Sequence, residues 1–284
     1  MSTAEADAVQ HFAAPAKLNL FLHVIGRRAD GYHDLQTVFQ LVDLCDTVDI
    51  ALTDDGIIRR DPPPDDPVLA ALPDDKDLCV RAARLLQTDS GCRQGARLHV
   101  TKRIPAGGGL GGGSSDAATV LLALDRLWGL NYGRERLAAL GLQLGADVPV
   151  FVMGRNAWAE GRGERLTPVD LPLRWYVIVR PPVAVGTAEI FTAPELTRDT
   201  PPITLRAFLD GAGRNDCEPV VRQRHPAVAA ALDWLAGHAP ARLTGTGSCG
   251  FAAFDTEADA RRAAAAAPAG LAVFVARGIA QSPI

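Results

Sequence analysis

Three things are scarce or missing in this sequence, and each removes a class of function. Cysteine is one. The five residues Cys45, Cys79, Cys92, Cys217 and Cys249 are odd in number, widely spread and contain no Cys-x-x-Cys, which argues against a disulfide framework and a zinc site and fits a reducing compartment. An excess of positive charge is another. Twenty-nine Lys and Arg against 33 Asp and Glu give a net charge of -4, without the basic footprint of a duplex-binding protein, so no nucleic acid partner is expected. The third is a long apolar run. None approaches the ~20 residues of a membrane span, and the opening MSTAEADAVQ is acidic, without the basic start and apolar stretch of a signal peptide. The chain is expected to stay in the cytoplasm, off the membrane.

What is present is a chain of 284 residues, 48% hydrophobic, enough for one large domain or two ordinary ones. From Ala16 to Ile25 the residues alternate, with Leu18, Leu20, Leu22 and Val24 on one face and Lys17, Asn19, Phe21 and His23 on the other, which predicts a strand. Asp30-Gly31 marks a turn, and LQTVFQLVDLCDTVDIAL predicts one or two further strands. The Pro- and Asp-rich stretch 61–75 reads as a loop, 77–87 as a helix, and 96–104 as a strand that runs into PAGGGLGGGSS and a helix stopped at Gly129. Further on, a buried strand starts at Trp175, a helix spans 227–235, RLTGTGSCGFAAF is a Gly-rich loop between strands, and a last helix runs from Thr256 to Pro268. The class is mixed α+β, with a boundary near residue 170 dividing the chain into 1–170 and 171–284. No fixed-period repeat is visible.

PAGGGLGGGSS holds six glycines in eleven residues between a strand and a helix. Glycine lets the main chain approach a ligand with no Cβ in the way, and the unsatisfied amides and positive dipole end of the following helix attract phosphate. Ser114 and Ser115 are expected as that helix's N-cap. A hinge or tight turn is the bland alternative, although it needs one or two glycines rather than six. Gly107, Gly109 and Gly112 formally satisfy Gly-x-Gly-x-x-Gly, but the second strand ending in Asp or Glu that a dinucleotide fold requires is missing. No lysine follows the glycines, which removes the Walker loop. A third kind of phosphate loop is required.

The loop resembles the Pro-x3-Gly-Leu-Gly/Gly-Ser-Ser motif of the GHMP kinases, the family of galacto-, homoserine, mevalonate and phosphomevalonate kinases. PAKLNLFL resembles that family's first motif and RLTGTGSCGFAAF its third. Within the family, PAKLNL, RADGYHDLQT, LGADVPVF and EGRGE together resemble the branch serving the non-mevalonate isoprenoid pathway. The resemblance is dense over 14–50 and 96–165, returns at NDCEP and the third motif, and is weak over 50–75 and 192–214. It implies a two-lobed fold, with an amino-terminal domain of the ribosomal-protein-S5-domain-2-like type and a ferredoxin-like carboxy-terminal domain, the substrate lying between them. It implies that ATP, accompanied by Mg²⁺ with no dedicated protein ligand named, phosphorylates the 2-hydroxyl of 4-diphosphocytidyl-2-C-methyl-D-erythritol. A small molecule is then the partner, acted on by a monomer or homodimer.

The same resemblance assigns residues. Asp147 matches the base that takes the hydroxyl proton, and Lys17 the cation beside it. Pro105, Ala106, Gly107, Gly108, Gly109, Leu110, Gly111, Gly112, Gly113, Ser114 and Ser115 match the ATP-phosphate loop. Asn19 shares a strand face with Lys17 and suits a substrate contact. Tyr32 and His33 match the cytosine-binding pair, Phe191 the other side of the base and Phe39 a neighbour, while Thr187, Gly245 and Thr246 match further substrate contacts. Read without the family, Asp147 is a helix N-cap two residues before Pro149, Lys17 a solvated lysine, and both phenylalanines core. Two positions depart from the pattern: Asp116 and Asp77 stand where relatives carry Asn. A homoserine or mevalonate kinase, a nucleotide binder without turnover and a dehydrogenase are the competing readings.

Overall fold

The computed structural model describes residues 8–60 and 73–284; most of the loop expected over 61–75, and the first seven residues of the acidic start, lie outside them. The chain opens with two long strands, β1 (Gln10–Arg27) and β2 (His33–Thr53), paired antiparallel through the Asp30-Gly31 turn, where Gly31 has φ +86°. Irregularities between Pro15 and Ala16, Asn19 and Leu22, and Val24 and Gly26 let strands of this length twist without breaking. β2 forms the spine of the sheet, because its other edge pairs in succession with three partners. These are β5 (Ala157–Gly161), β10 (Ala272–Ile279) and β4 (Gly95–Thr101). Short β3 (Ile58–Arg60) extends the sheet beyond β4 in parallel, and β6 (Arg165–Pro168) extends it beyond β5.

Helices α1 (Leu78–Ser90), α2 (Gly112–Leu127), α3 (Arg134–Leu142) and α4 (Val148–Met153) pack with this sheet around Val48, Leu86, Leu98, Leu121 and Leu124, all of them buried. α1 is capped by Asp77, whose carboxylate accepts from the amides of Cys79 and Val80, and it stops at Gly91 in the left-handed region. α2 starts earlier than its serines imply. Its N-cap is Gly111 at φ +73°, so Ser114 and Ser115 lie inside the first turn instead of capping it. The left-handed conformation needed to turn the loop into the helix suits glycine, and this outweighs the preference of serine for the cap.

The second half contains β7 (Trp175–Arg180), α5 (Thr187–Thr192), α6 (Leu205–Leu209), α7 (Glu218–Arg224), α8 (Pro226–Ala236), β8 (Ala241–Leu243), β9 (Gly250–Phe254) and α9 (Glu257–Ala265), and closes on β10. Strands β7, β8, β9 and β10 lie antiparallel in the order β10-β7-β9-β8, and with α8 and α9 they make the β-α-β-β-α-β unit of a ferredoxin-like fold. Leu235, Ala260 and Ala263 from the two helices cover Val177, Val179 and Ala252. Residues 278–279 of β10 then pair with Leu41 and Val42 and tie this unit to the spine strand.

One expectation about β1 changes. Its polar face is not solvated, since Lys17, Asn19 and His23 are only 3–4% exposed. The cover comes from far along the chain. Leu22 exchanges backbone hydrogen bonds with Arg214 and Asp216, and the Asp216 carboxylate accepts from the amide of Val24. A lysine on a half-exposed strand would need no explanation, whereas a buried one does.

Candidate active site

The three motifs that carry the resemblance meet. The carbonyls of Gly107 and Gly108 accept from the amides of Ser248 and Cys249, at 3.2 Å each, and the amide of Lys17 donates to Leu110 O at 3.0 Å. The carbonyl of Gly109 accepts both from Lys17 Nζ at 3.0 Å and from Thr244 Oγ1 at 3.3 Å. Asn215, in NDCEP, secures the third motif by donating to the carbonyls of Leu243 and Gly245, 2.8 Å each. Not every loop glycine is there for a ligand. A Cβ at Gly109 would collide with Thr244 O, while one at Gly107 would meet nothing within 4 Å among the described residues.

Two cavities result. One of about 480 Å³ is lined by 104–114 and by Lys102, Asp116 and Asp77; the other, of about 280 Å³, is lined by Lys17, Asn19, Thr37, Phe39, Phe191 and the third motif. Gly109, Ser114, Asp147 and Thr187 belong to both. A group leaving the first cavity for the second would pass Asp147.

Asp147 stands at the N-cap position of α4, yet its side chain makes no capping hydrogen bond among the described residues. Pro149 in the first turn has no N–H to satisfy, and the carboxylate instead lies 3.4 Å from Lys17 Nζ, partly exposed at 36%. Lys17 Nζ also donates to Asn19 Oδ1 at 2.5 Å and sits 5.4 Å from the centre of the Phe39 ring. Asn19 is held in turn, its Nδ2 donating to Thr37 Oγ1 and its amide to Thr244 Oγ1, both at 3.0 Å.

Lys102, which sequence reasoning passed over, reaches the start of α2 from the strand side of the loop. A Cβ at Gly112 would be 3.3 Å from its Nζ. It pairs with Asp46 and, at 2.7 Å, with Asp116. Asp46 is fully buried and also accepts from the amides of Arg103 and Ile104, which fixes the chain as it enters the loop. Asp116 lies one turn deeper in α2 than expected, clear of the first turn, and its Oδ1 has no partner among the described residues. Burial works against the Lys102 cation, but Asp116 and Asp46 outweigh it and raise its pKa. Two carboxylates sharing one cation cannot both be well served. Burial above all, with Asp46 adding to it against the pull of Lys102, pushes Asp116 up to about 7. Asp77, the other departure from the family pattern, is tied to Arg60 at 2.9 Å.

Asp116 therefore takes up a proton on folding. Its contribution to stability is complete below the ordinary carboxylate pKa and is lost as pH rises through about 7. Replacing Asp116 with Asn is expected to flatten the fall in Tm between pH 6 and 8 by about 2–4 °C, which corresponds to ~1 kcal/mol in a chain of this size. Thermal unfolding at the two pH values checks it, and equal slopes for both proteins would contradict the shared-cation account.

The residues assigned to the substrate divide. Phe191, Phe39, Thr187, Gly245 and Thr246 line the second cavity with Asn19, and Thr187 and Thr246 share a hydroxyl hydrogen bond of 3.2 Å. Phe39 is core as well, at 2% exposure. His33 stacks on Phe191 with centroids 5.2 Å apart, whereas Tyr32 is 55% exposed with the Arg162 guanidinium 4.8 Å over its ring. Among the described residues no ring contact joins Tyr32 to Phe191. Arg162, Thr37, Thr244 and Arg198 complete the surroundings. Arg162 and Thr37 fall inside quoted motifs without a role having been given to them, and Arg198 lies where the resemblance is weak.

A phosphate-type glycine loop on a strand-to-helix junction, joined to a ferredoxin-like unit, is the architecture of one class of small-molecule kinases. The family description GHMP kinases N terminal domain matches residues 77–155 and GHMP kinases C terminal matches 200–272, and the chain belongs to this family. It is 56% identical over 97% of its length to a 4-diphosphocytidyl-2-C-methyl-D-erythritol kinase of Alkalilimnicola ehrlichii (93% of that protein), and 54% identical over its whole length to the protein of that name from Aromatoleum aromaticum (98% of it). A crystal structure of a 4-(cytidine 5'-diphospho)-2C-methyl-D-erythritol kinase matches with a TM-score of 0.82 at 34% identity, covering 95% of this chain and 99% of that one. The branch of the family is thereby the one named in those relatives, and the chain is an ATP-dependent small-molecule kinase.

Proposed function

We propose that the chain transfers the γ-phosphoryl group of ATP to the 2-hydroxyl of 4-diphosphocytidyl-2-C-methyl-D-erythritol, with Asp147 accepting the hydroxyl proton and Lys17 stabilising the charge that develops on the oxygen. The observation that carries this reading is the position of Asp147, shared by the two cavities and 3.4 Å from the buried Lys17 ammonium. Phosphoryl transfer asks for alignment and charge neutralisation more than covalent chemistry. The loop amides and the start of α2 serve the phosphates, Lys17 and Asn19 the acceptor end, and Phe191 and His33 the cytidine. Among the described residues no three His, Cys, Asp or Glu side chains gather as a metal cage. Mg²⁺ would enter with ATP, held by phosphates, water and few protein oxygens.

ADP release from MgATP with four acceptors tests it: the diphosphocytidyl methylerythritol, the same compound without its cytidine, mevalonate and homoserine. Turnover is expected only with the first. Turnover with mevalonate or homoserine would discard the acceptor, and silence with all four would discard the reaction.

A further inference from the structure

We propose that Arg198 is a specificity-positioning residue. By donating to His33 Nε2 it holds the imidazole as the Nδ1–H tautomer, so that the free edge of the ring can only donate and favours a pyrimidine with an acceptor at ring position 3, cytosine over uracil. This rests on the proposed reading of the cytidine end of the site.

Arg198 Nε lies 3.1 Å from His33 Nε2. A guanidinium carries five N–H donors, offers no acceptor and does not deprotonate in proteins. The histidine nitrogen facing it must therefore supply a lone pair, and a neutral imidazole with its lone pair on Nε2 carries its proton on Nδ1. The arginine cannot easily swing away. Its Nη1 donates to Leu196 O at 3.0 Å, and its Nη2 donates to Phe191 O at 3.0 Å and Ala193 O at 2.6 Å. Those carbonyls lie at and beyond the end of α5, the helix that carries Phe191, and the Phe191 ring stacks on His33 at an interplanar angle of 23°. One side chain thus sets both an aromatic wall and the polar edge beside it.

The surroundings favour the neutral ring. Burial, then Arg198, then Arg27, which faces His33 across the β1–β2 pair, lower the His33 pKa. A protonated His33 would turn a second donor toward Arg198, so the contact and the neutral form support each other. Cytosine presents an unprotonated N3 to such a donor, whereas uracil presents N3–H. Two opposed donors leave both unsatisfied in a partly buried site, and a site built around one hydrogen bond rejects the mismatched analogue strongly. The wild-type protein is expected to prefer the cytidine substrate over its uridine counterpart by at least about 100-fold in kcat/KM.

The test has two readouts. Ring ¹⁵N NMR, with His33 assigned by His33→Gln, should show the proton on Nδ1 in the wild type. A wild-type spectrum with the proton on Nε2 overturns the proposal whatever the kinetics. Arg198→Lys keeps the cation and loses the planar fork. It should populate both tautomers, raise KM for the cytidine substrate with kcat within about twofold, and cut the cytidine-to-uridine preference by about 10-fold or more. A KM that rises equally for both substrates, with the preference intact, reduces Arg198 to a structural part and overturns its role in specificity. Absence of wild-type turnover with the cytidine compound sinks the proposed function itself, a failure distinct from an unchanged preference in a working enzyme.

Discussion

Asp147→Asn is expected to lower kcat by about 10²–10⁴-fold, the usual value of a positioned base, with KM for both substrates within about threefold and Tm within about 2 °C. The small effect on stability follows from how little the fold asks of this carboxylate. It caps no amide among the described residues and is about one-third exposed. Its ion pair with Lys17 is thus partly screened by solvent, and such pairs contribute ~0–1 kcal/mol. Lys17 also keeps two oxygens that do not depend on Asp147, Asn19 Oδ1 and Gly109 O. Asparagine preserves the shape and removes the proton acceptor. Steady-state kinetics and thermal unfolding of the same preparation separate the outcomes. A loss confined to KM would make Asp147 a binding residue, and a large fall in Tm would return it to the helix-cap role suggested by its place before Pro149.

Much of this site was legible in local sequence, and what was missed shares a cause. The alternation along β1 correctly set Lys17 and Asn19 on one face, and both line one cavity. It could not tell that the face is buried, because the cover comes from distant segments, Gly109 and Asp147 at Lys17 and Thr244 at Asn19. The glycine run placed a loop between a strand and a helix, but its serines put the helix start three residues too late, since the preference of serine for an N-cap is weaker than the backbone demand met by Gly111. A Walker loop carries its lysine after the glycines, whereas Lys102 precedes them and reaches Asp46 and Asp116 from the strand side of the loop. Arg198 left no local signal. Its hydrogen bonds reach back 165 residues to His33 and to backbone carbonyls that any sequence would supply. Periodicity and motif report what a segment does to itself, and tertiary cover lies outside them.

Gly109→Ala is the substitution expected to do the most damage for the smallest chemical change, because one backbone position joins all three motifs. Its φ is +75°, which costs an alanine about 1–2 kcal/mol, and the added methyl would collide with the carbonyl of Thr244 and lie 3.3 Å from the amide nitrogen of Gly247. Both are main-chain atoms that no rotamer change can move aside, so the glycine loop and the third motif must separate. That displaces the Gly109 carbonyl that holds Lys17 and Thr244, and a shift of about 1 Å in a phosphoryl-transfer site costs roughly 100-fold. A fall in kcat/KM for ATP of about 100-fold or more is expected, with Tm lower by about 4–8 °C. Gly107→Ala is the matched comparison. Its φ of +66° imposes similar backbone strain, yet its methyl would meet nothing within 4 Å among the described residues, so its Tm should fall by that strain alone and by less than in Gly109→Ala. If the two variants lost equal Tm, strain in the loop rather than its docking on the third motif would be what the fold depends on, and the joint at Thr244 would be incidental.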